Sequence, residues 1–467
     1  MSRFSPYPEY KGSGVEWLGE IPAHWEVKRL RYVAELNPPK AEMRSLPPES
    51  SVSFIPMEAV GDNGSLSLEQ VRPMSEVLTG YTYVREGDVA IAKITPCFEN
   101  GKGAVMRGLE NHIGFGTTEL TVMRPRTGLT TSDYLYRVVL SEPFRVLGES
   151  SMYGAGGQKR VPDDFVRNFT IAWPPYEEQV LIQSFLDHET ARIDALVEEQ
   201  RRLIALLKEK RQAVISHAVT KGLDPDAPMK DSGVEWLGEV PAHWEVFRLK
   251  QMATVQGGAT PAKERLDFWD GQIPWASPKD MKKDRISNAF DHITEKALSE
   301  TGLSTIKPGA VLIVVRGMIL AHSVPVAIAE VPLTINQDMK ALTPCGQLSS
   351  EYMLLLLTGI KDAIFNYIDA SAHGTKKLEW ERFENINLPL PSLAEQRSIC
   401  REVHEHVGRI HKLIVAATST MKLLKERRSA LISAAVTGKI DVRGWQAAQQ
   451  PGQPELLMAA EERATYG

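Results

Sequence analysis

Disulfides, membrane spans and bulk positive charge are all missing from this chain. Its 467 residues include three cysteines, Cys97, Cys345 and Cys400, spaced for neither a disulfide framework nor a zinc site, so a reduced, cytoplasmic setting is expected. The longest plain apolar runs, such as AVLIVV at 310–315, are strand-sized and far short of a bilayer span. The opening MSRFSPYPEYKGSG has no apolar stretch of a secretory signal. A formal net charge of −5 excludes a uniformly basic coat for nucleic acid and leaves any such contact to local patches.

Catalytic signatures are missing as well. No G-x-x-x-x-G-K-[ST] loop cradles nucleotide phosphates. NPPK at 37–40 approaches an Asn-Pro-Pro-aromatic methylation site, but Lys40 stands where a ring would stack on a flipped base, and it reads as a loop-forming proline pair. HEHVGRIH at 404–411 is not H-E-x-x-H, because Gly408 takes the second histidine's place; His404 and His411 read as a solvated helix face and not a metal site. The expectation is a chain with no catalytic residues, no metal and no cofactor of its own.

What the chain does have is a repeat. SGVEWLGEIPAHWEV (13–27) returns as SGVEWLGEVPAHWEV (232–246), differing only at Ile21 and Val240, and KEKRQAVISHAVTKGLD (208–224) returns as KERRSALISAAVTGKID (425–441). A period above 200 residues is too long for a solenoid and indicates a duplicated pair of domains. The expected organisation is a first domain at 1–174, a long helix at 175–220, a second domain at 221–391, a second helix at 392–438 and a tail at 439–467 that is flexible from about Arg443. The fold class is α+β: two mixed globular domains separated by two long antiparallel helices related by a pseudo-two-fold axis.

Each long helix follows a proline-containing approach and stops at a glycine. Apolar residues recur every seven positions, predicting a narrow coiled-coil seam. In the first helix the seam comprises Leu186, Ile193, Leu207 and Val214 on one track and Ile182, Leu196 and Leu203 on the other. In the second, Val403, Ile410, Leu424 and Leu431 lie opposite Ile399 and Leu413. Two heads on paired helices would suit duplex DNA, itself two-fold symmetric. Diverged heads would then read unlike half-sites at a fixed separation.

Base reading needs polar and cationic side chains on loops, and three places in each half qualify. The first is the strand-connecting loop: Lys93, Thr95, Asn100 and Lys102 in the first domain, Arg316 and His322 in the second. The second is Thr117 and Thr118, matched by Asn336 and Gln337. The third is the glycine-rich basic loop: Gln158, Lys159 and Arg160, matched by His373, Thr375, Lys376 and Lys377. The bland alternative for each is a solvated turn. Trp17, Trp25, Trp236 and Trp244 are either structural plugs or docking anchors.

The SGVEWLGE[IV]PAHWEV openings, the PP…EEQ and P…AEQ approaches to the helices, and their K-E-[KR]-R-x-A-[VL]-I-S-x-A-V-T ends together resemble the specificity subunit of type I restriction–modification systems. The resemblance covers nearly all of residues 13–441. It implies two target-recognition domains reading a bipartite sequence in double-stranded DNA. It also implies a helical ruler that docks two modification (methyltransferase) subunits, and restriction (ATP-dependent translocase and nuclease) subunits in the full assembly. S-adenosylmethionine, ATP and magnesium would belong to those partners. The alternative is a coiled-coil protein scaffold with two diverged heads and no DNA role.

Overall fold

The computed structural model describes residues 5–155, 157–370 and 375–446. Its longest elements are the helices Tyr176–Lys221 and Leu393–Val436. Pro174 and Pro175 precede the first, and Ser392 starts the second by accepting a hydrogen bond from the Glu395 amide on Oγ, 3.3 Å. Gly222 and Gly438 follow the ends in left-handed conformation, φ +80° and +75°, where a side chain would be strained.

The chain divides into two compact units. One gathers the residues up to Gln200 with those from Ser419 onward; the other is Arg201–Thr418. Each long helix therefore contributes one half to each unit.

In the first unit, one sheet orders strands 71–73, 51–55, 113–116 and 82–85, and another orders 34–36, 120–125, 89–92 and 103–105. Within 87–106 two strands pair, Val89 with Val105 and Ile91 with Gly103. Helices Ser132–Leu140 and Glu142–Ser150 cover this layer. In the second unit one sheet runs 253–257, 339–344, 311–314, 326–329 and 285–286, and a second runs 291–293, 269–276 and 334–335. Helix Ser350–Gly359 packs beside the first of these. Each unit holds a parallel pair at matching places, 51–55 with 113–116 and 269–276 with 334–335, and the second unit has a further one, 285–286 with 326–329.

The near-identical opening sentence acts as a clamp within each unit. In the first, Trp25 is fully buried and its Nε1 donates to Glu178 Oε1, 3.2 Å. His24 Nε2 lies 2.7 Å from Glu178 Oε2, and the Tyr7 hydroxyl donates to Oε1 at 2.7 Å. Glu178 belongs to the first turn of the first helix. The next residue, Gln179, donates from Nε2 to the carbonyls of Leu129 and Pro174. The second unit repeats the arrangement on the other helix. Trp244 Nε1 donates to Glu395 Oε1 at 2.9 Å, His243 Nε2 lies 3.0 Å from Oε2, and Gln396 Nε2 reaches the carbonyls of Gln347 and Pro391. The same motif also meets a helix end. Tyr10 donates to the Gly438 carbonyl, and a Cβ on Gly438 would stand 2.3 Å from Pro22. In the second unit Lys221 Nζ donates to the carbonyls of Leu237 and Glu239. Buried rings whose N–H finds a carboxylate are satisfied core groups, so Trp25 and Trp244 are structural plugs. Trp17 stacks on Phe169 and Trp236 packs on the second unit's core.

The seam needs one correction. Ile182, Leu186, Ile193, Leu207, Ile399, Val403 and Ile410 are buried, and Val214, Leu424 and Leu431 half-buried. Leu196, Leu203 and Leu413, however, are 46%, 42% and 55% exposed. Val197 is buried, and Ile204 and Ile414 are half-buried, so the second track sits one residue later. Two tracks spaced three or four residues apart both repeat every seven, and leucine content alone favoured the outer one. Within the first unit, Ile182, Phe185 and Leu186 share a core with Ile432, Ala435 and Val436, and Arg428 pairs with Asp194 at 2.9 Å, an antiparallel pairing. The residues after the second helix also differ from a flexible tail at their start: Ile440 and Val442 enter this core and Trp445 packs edge-on against Phe185. Residues 447–467 lie outside the described residues.

Candidate nucleic-acid interface

The three candidate loops of each unit converge on one place, and their main chains are joined by the same hydrogen bonds. In the first unit the Lys93 amide donates to the Glu119 carbonyl (2.9 Å), the Thr95 amide to Lys159 (2.9 Å) and the Val161 amide to Lys93 (2.9 Å). In the second unit Val315 donates to Asp338 (2.8 Å), Gly317 to Lys376 (3.0 Å) and Leu378 to Val315 (2.9 Å). Bridges Ile94–Arg160 and Arg316–Lys377 complete the match. The frame thus equates Lys93 with Val315, Ile94 with Arg316, Thr95 with Gly317, Glu119 with Asp338, Lys159 with Lys376 and Arg160 with Lys377. One backbone device presents two different sets of side chains.

Side chains on this frame divide by their partners. Lys159, Gln158 and Thr118 are exposed in the first unit, and Arg316, Gln337 and Lys377 in the second. Lys376, Thr375 and Lys93 are half-buried. Among the described residues, no side-chain partner is found for Lys159 or Arg316. Thr260 donates from its hydroxyl to Gln337 Oε1. Thr95 Oγ1 donates to the Lys159 carbonyl and Thr117 Oγ1 accepts from the Glu119 amide, so both serve the frame first. Asn100 and His322 remain exposed, and His373 lies outside the described residues.

Three candidates are engaged inside the protein. Arg160 makes a two-pronged pair with Glu119, Nε to Oε2 at 2.9 Å and Nη2 to Oε1 at 2.7 Å, and this hydrogen-bonded guanidinium holds the Glu119 carboxyl below its usual range. Lys102 Nζ donates to the Met57 carbonyl at 3.2 Å. Asn336 is buried, with Nδ2 on Asp338 and Oδ1 accepting the Asp338 amide. These residues shape the loops. The acid shared by TTEL and NQDM, Glu119 and Asp338, was overlooked; its position in both halves was the signal. Tyr153 was also missed: it pairs with Arg160 through the main chain and is 67% exposed.

The methylation-like NPPK stretch is structural. Asn37 has a left-handed backbone (φ +48°), its Oδ1 accepts the Val122 amide, and its Nδ2 donates to Asp163. Lys40 Nζ donates to the carbonyls of Leu78 and Tyr81. His404 and His411 are exposed on the second helix. Among the described residues no helix is long and apolar enough to cross a membrane.

Residues 241–414 match the family model described as the type I restriction modification DNA specificity domain. The EcoAI specificity subunit of Escherichia coli is 45% identical over 180 residues, 38% of this chain and 30% of that protein. The EcoEI specificity subunit, also of Escherichia coli, is 40% identical over 164 residues, 35% of this chain and 27% of that protein. The chain thus covers less than a third of the length of either relative. Among solved structures, a chain from a study of complex assembly and conformational transition of the type I R-M system aligns with a TM-score of 0.68 at 18% identity, covering 90% of this chain and 99% of that one. The HsdS subunit of Thermoanaerobacter tengcongensis aligns over 90% of this chain and 98% of its own, with a TM-score of 0.50 and 18% identity. At these identities the two structures establish the fold.

Proposed function

We propose, from the premise that the chain belongs to the type I restriction–modification specificity subunits, that it is the DNA-recognition subunit of such a system and has no catalytic centre of its own. Its two heads read the unlike halves of a bipartite target in double-stranded DNA, and the long helices set the separation. Two modification subunits dock on this frame and bring S-adenosylmethionine to the adenines of the target. Restriction subunits, with ATP and magnesium, join for cleavage in the cytoplasm. The observation that carries the reading is the matched backbone frame with divergent side chains. A catalytic duplication would preserve the chemistry of its residues, whereas a duplicated reader preserves geometry and varies what it presents.

Methylome sequencing of cells expressing this chain with its modification subunit, compared with cells lacking the chain, tests the proposal. A new methyl-adenine motif made of two unlike half-sites around a fixed gap is expected. An assembled, active modification enzyme that leaves no such motif would overturn it and favour the protein-scaffold reading.

A further inference from the structure

One loop of the second head differs in its chemistry from its counterpart in the first. Between strands 269–276 and 291–293 the chain reads SPKDMKKDRISNAF (277–290), with Lys279, Lys282 and Lys283. The corresponding segment of the first head, PMEAVGDNGSLSLEQ (56–70), has no lysine and no aromatic residue, and carries Glu58, Asp62 and Glu69 instead. In the second head Phe290 is 68% exposed, with Lys279 Nζ at 5.7 Å and Lys282 Nζ at 5.6 Å from its ring centroid.

This exposure is built and not incidental. Asp280 is buried. Its Oδ2 accepts from the Ser277 amide (2.8 Å) and hydroxyl (3.0 Å), and its Oδ1 accepts from the Phe290 amide at 2.8 Å. Met281, Ile286 and Ala289 are buried in a hydrophobic cluster with Ala276 and Ile335. A carboxylate and three apolar anchors therefore hold the loop down, while Phe290 and the lysines stay exposed together with Asp284, Arg285, Ser287 and Asn288. Lys279 is paired with Asp291 at 2.6 Å and Arg285 with Glu351 at 2.7 Å. Lys282 and Lys283 have no acidic partner among the described residues. They border an open groove of about 390 Å³ that Asn288 and Phe290 also line.

Position links this loop to the candidate interface of the same unit. Trp275 pairs with Asp291 on one side and with Thr334 on the other, and the Asn336 amide donates to the Ala276 carbonyl. Phe290, Ser277 and Gln337 thus emerge from one edge of a single sheet, with Asp338 passing directly to the amides of Val315 and Arg316. Cations beside an exposed ring, on the edge that carries Gln337 and Arg316, suit a polyanion with apolar sugar and base edges.

From this placement we infer that loop 277–290 is an additional DNA contact belonging to the second head alone, with Lys282 and Lys283 on phosphates and the Phe290 ring against the sugar–base edge of the groove beside the second half-site. The inference rests on the proposed DNA-recognition role. The test measures binding of the full-length chain, assembled with its modification subunit, to a mixed-sequence duplex across a salt series. Wild type is compared with K282A/K283A, F290A and the control K230A, whose lysine is exposed on a separate hairpin. K282A/K283A should lower the slope of log affinity against log salt by about two, at roughly 0.9 per lost phosphate contact. F290A should weaken binding about tenfold with the slope unchanged, since a lost apolar contact releases no counterions. K230A should behave as wild type, and unchanged thermal midpoints will show that the exposed substitutions leave the fold intact. Wild-type affinity and slope in both loop variants would overturn this inference while leaving the recognition role standing. Variants that bind DNA normally but fail to assemble with the modification subunit would overturn it in favour of a protein-docking loop. A wild-type assembly that binds no duplex would remove the recognition role and this contact together.

Discussion

The two heads agree where they grip the helices and differ where they face outward. Both use a buried tryptophan and a histidine on a glutamate in the first turn of a long helix, Glu178 in one unit and Glu395 in the other. Yet even this shared device is unequal. Glu178 is 7% exposed and serves three donors, whereas Glu395 is 25% exposed and serves two. The loop frames differ further: at one matched position Glu119 holds Arg160, while at the other Asp338 accepts from Asn336. Burial constrains a residue through every neighbour it touches, whereas an exposed loop position is constrained only by its own backbone. Divergence between duplicated heads therefore collects on the loops.

The largest test of this comparison is to break both clamps. Trp25→Ala and Trp244→Ala should each cost about 3–5 kcal/mol, as emptied aromatic core sites do. Glu178→Ala should cost about 3 kcal/mol by leaving buried donors without an acceptor, against about 1 kcal/mol for the more solvated Glu395→Ala. Hydrogen exchange resolved by unit, under mild denaturant, would show each change loosening its own unit. Equal losses from the two glutamates would contradict the burial argument.

A smaller effect separates two neighbouring cations. Lys159→Ala should flatten the salt dependence of DNA binding by about one unit of slope, because this exposed ammonium is available to a phosphate. Arg160→Ala should alter the slope less and raise exchange of the loop amides, since its guanidinium is tied to Glu119. The reverse ranking would mean that Arg160 leaves Glu119 for DNA.

The smallest expected change is with pH. Arg160 depresses the Glu119 carboxyl, so the pair contributes stability above the ordinary carboxylate value of about 4.5 and loses it as pH falls through the lower folded value. Amides of Tyr153 and Arg160 should therefore lose protection, beyond the intrinsic pH effect on exchange, as pH falls below the ordinary carboxylate range, and Glu119→Gln should abolish that loss. Identical pH profiles in the variant and the wild type would rule out the pair as the cause.

Much of the architecture was legible in the chain. The repeat and the two long helices with their proline approaches and glycine stops follow from local patterns that few packings can override. The three candidate loops were picked out by composition, but Asn336, Lys102 and Arg160 are tied to groups of the protein itself, because polarity does not tell a free group from one satisfied by a carbonyl or carboxylate. The choice of Leu196, Leu203 and Leu413 failed for a related reason: a seven-residue spacing admits two adjacent tracks, and only the packed partner selects between them.

By itself, then, the sequence determined the duplication, the helices and the stretches from which a reading surface could be drawn, since these depend on spacing along one chain. Tertiary structure alone decided that the repeated His-Trp pair clamps a glutamate about 150 residues away, that three loops share one hydrogen-bonded frame in each head, and that Phe290 stands exposed above a buried aspartate. Each of these is a meeting of residues far apart in the chain, and no local pattern encodes which distant groups will satisfy one another's hydrogen bonds.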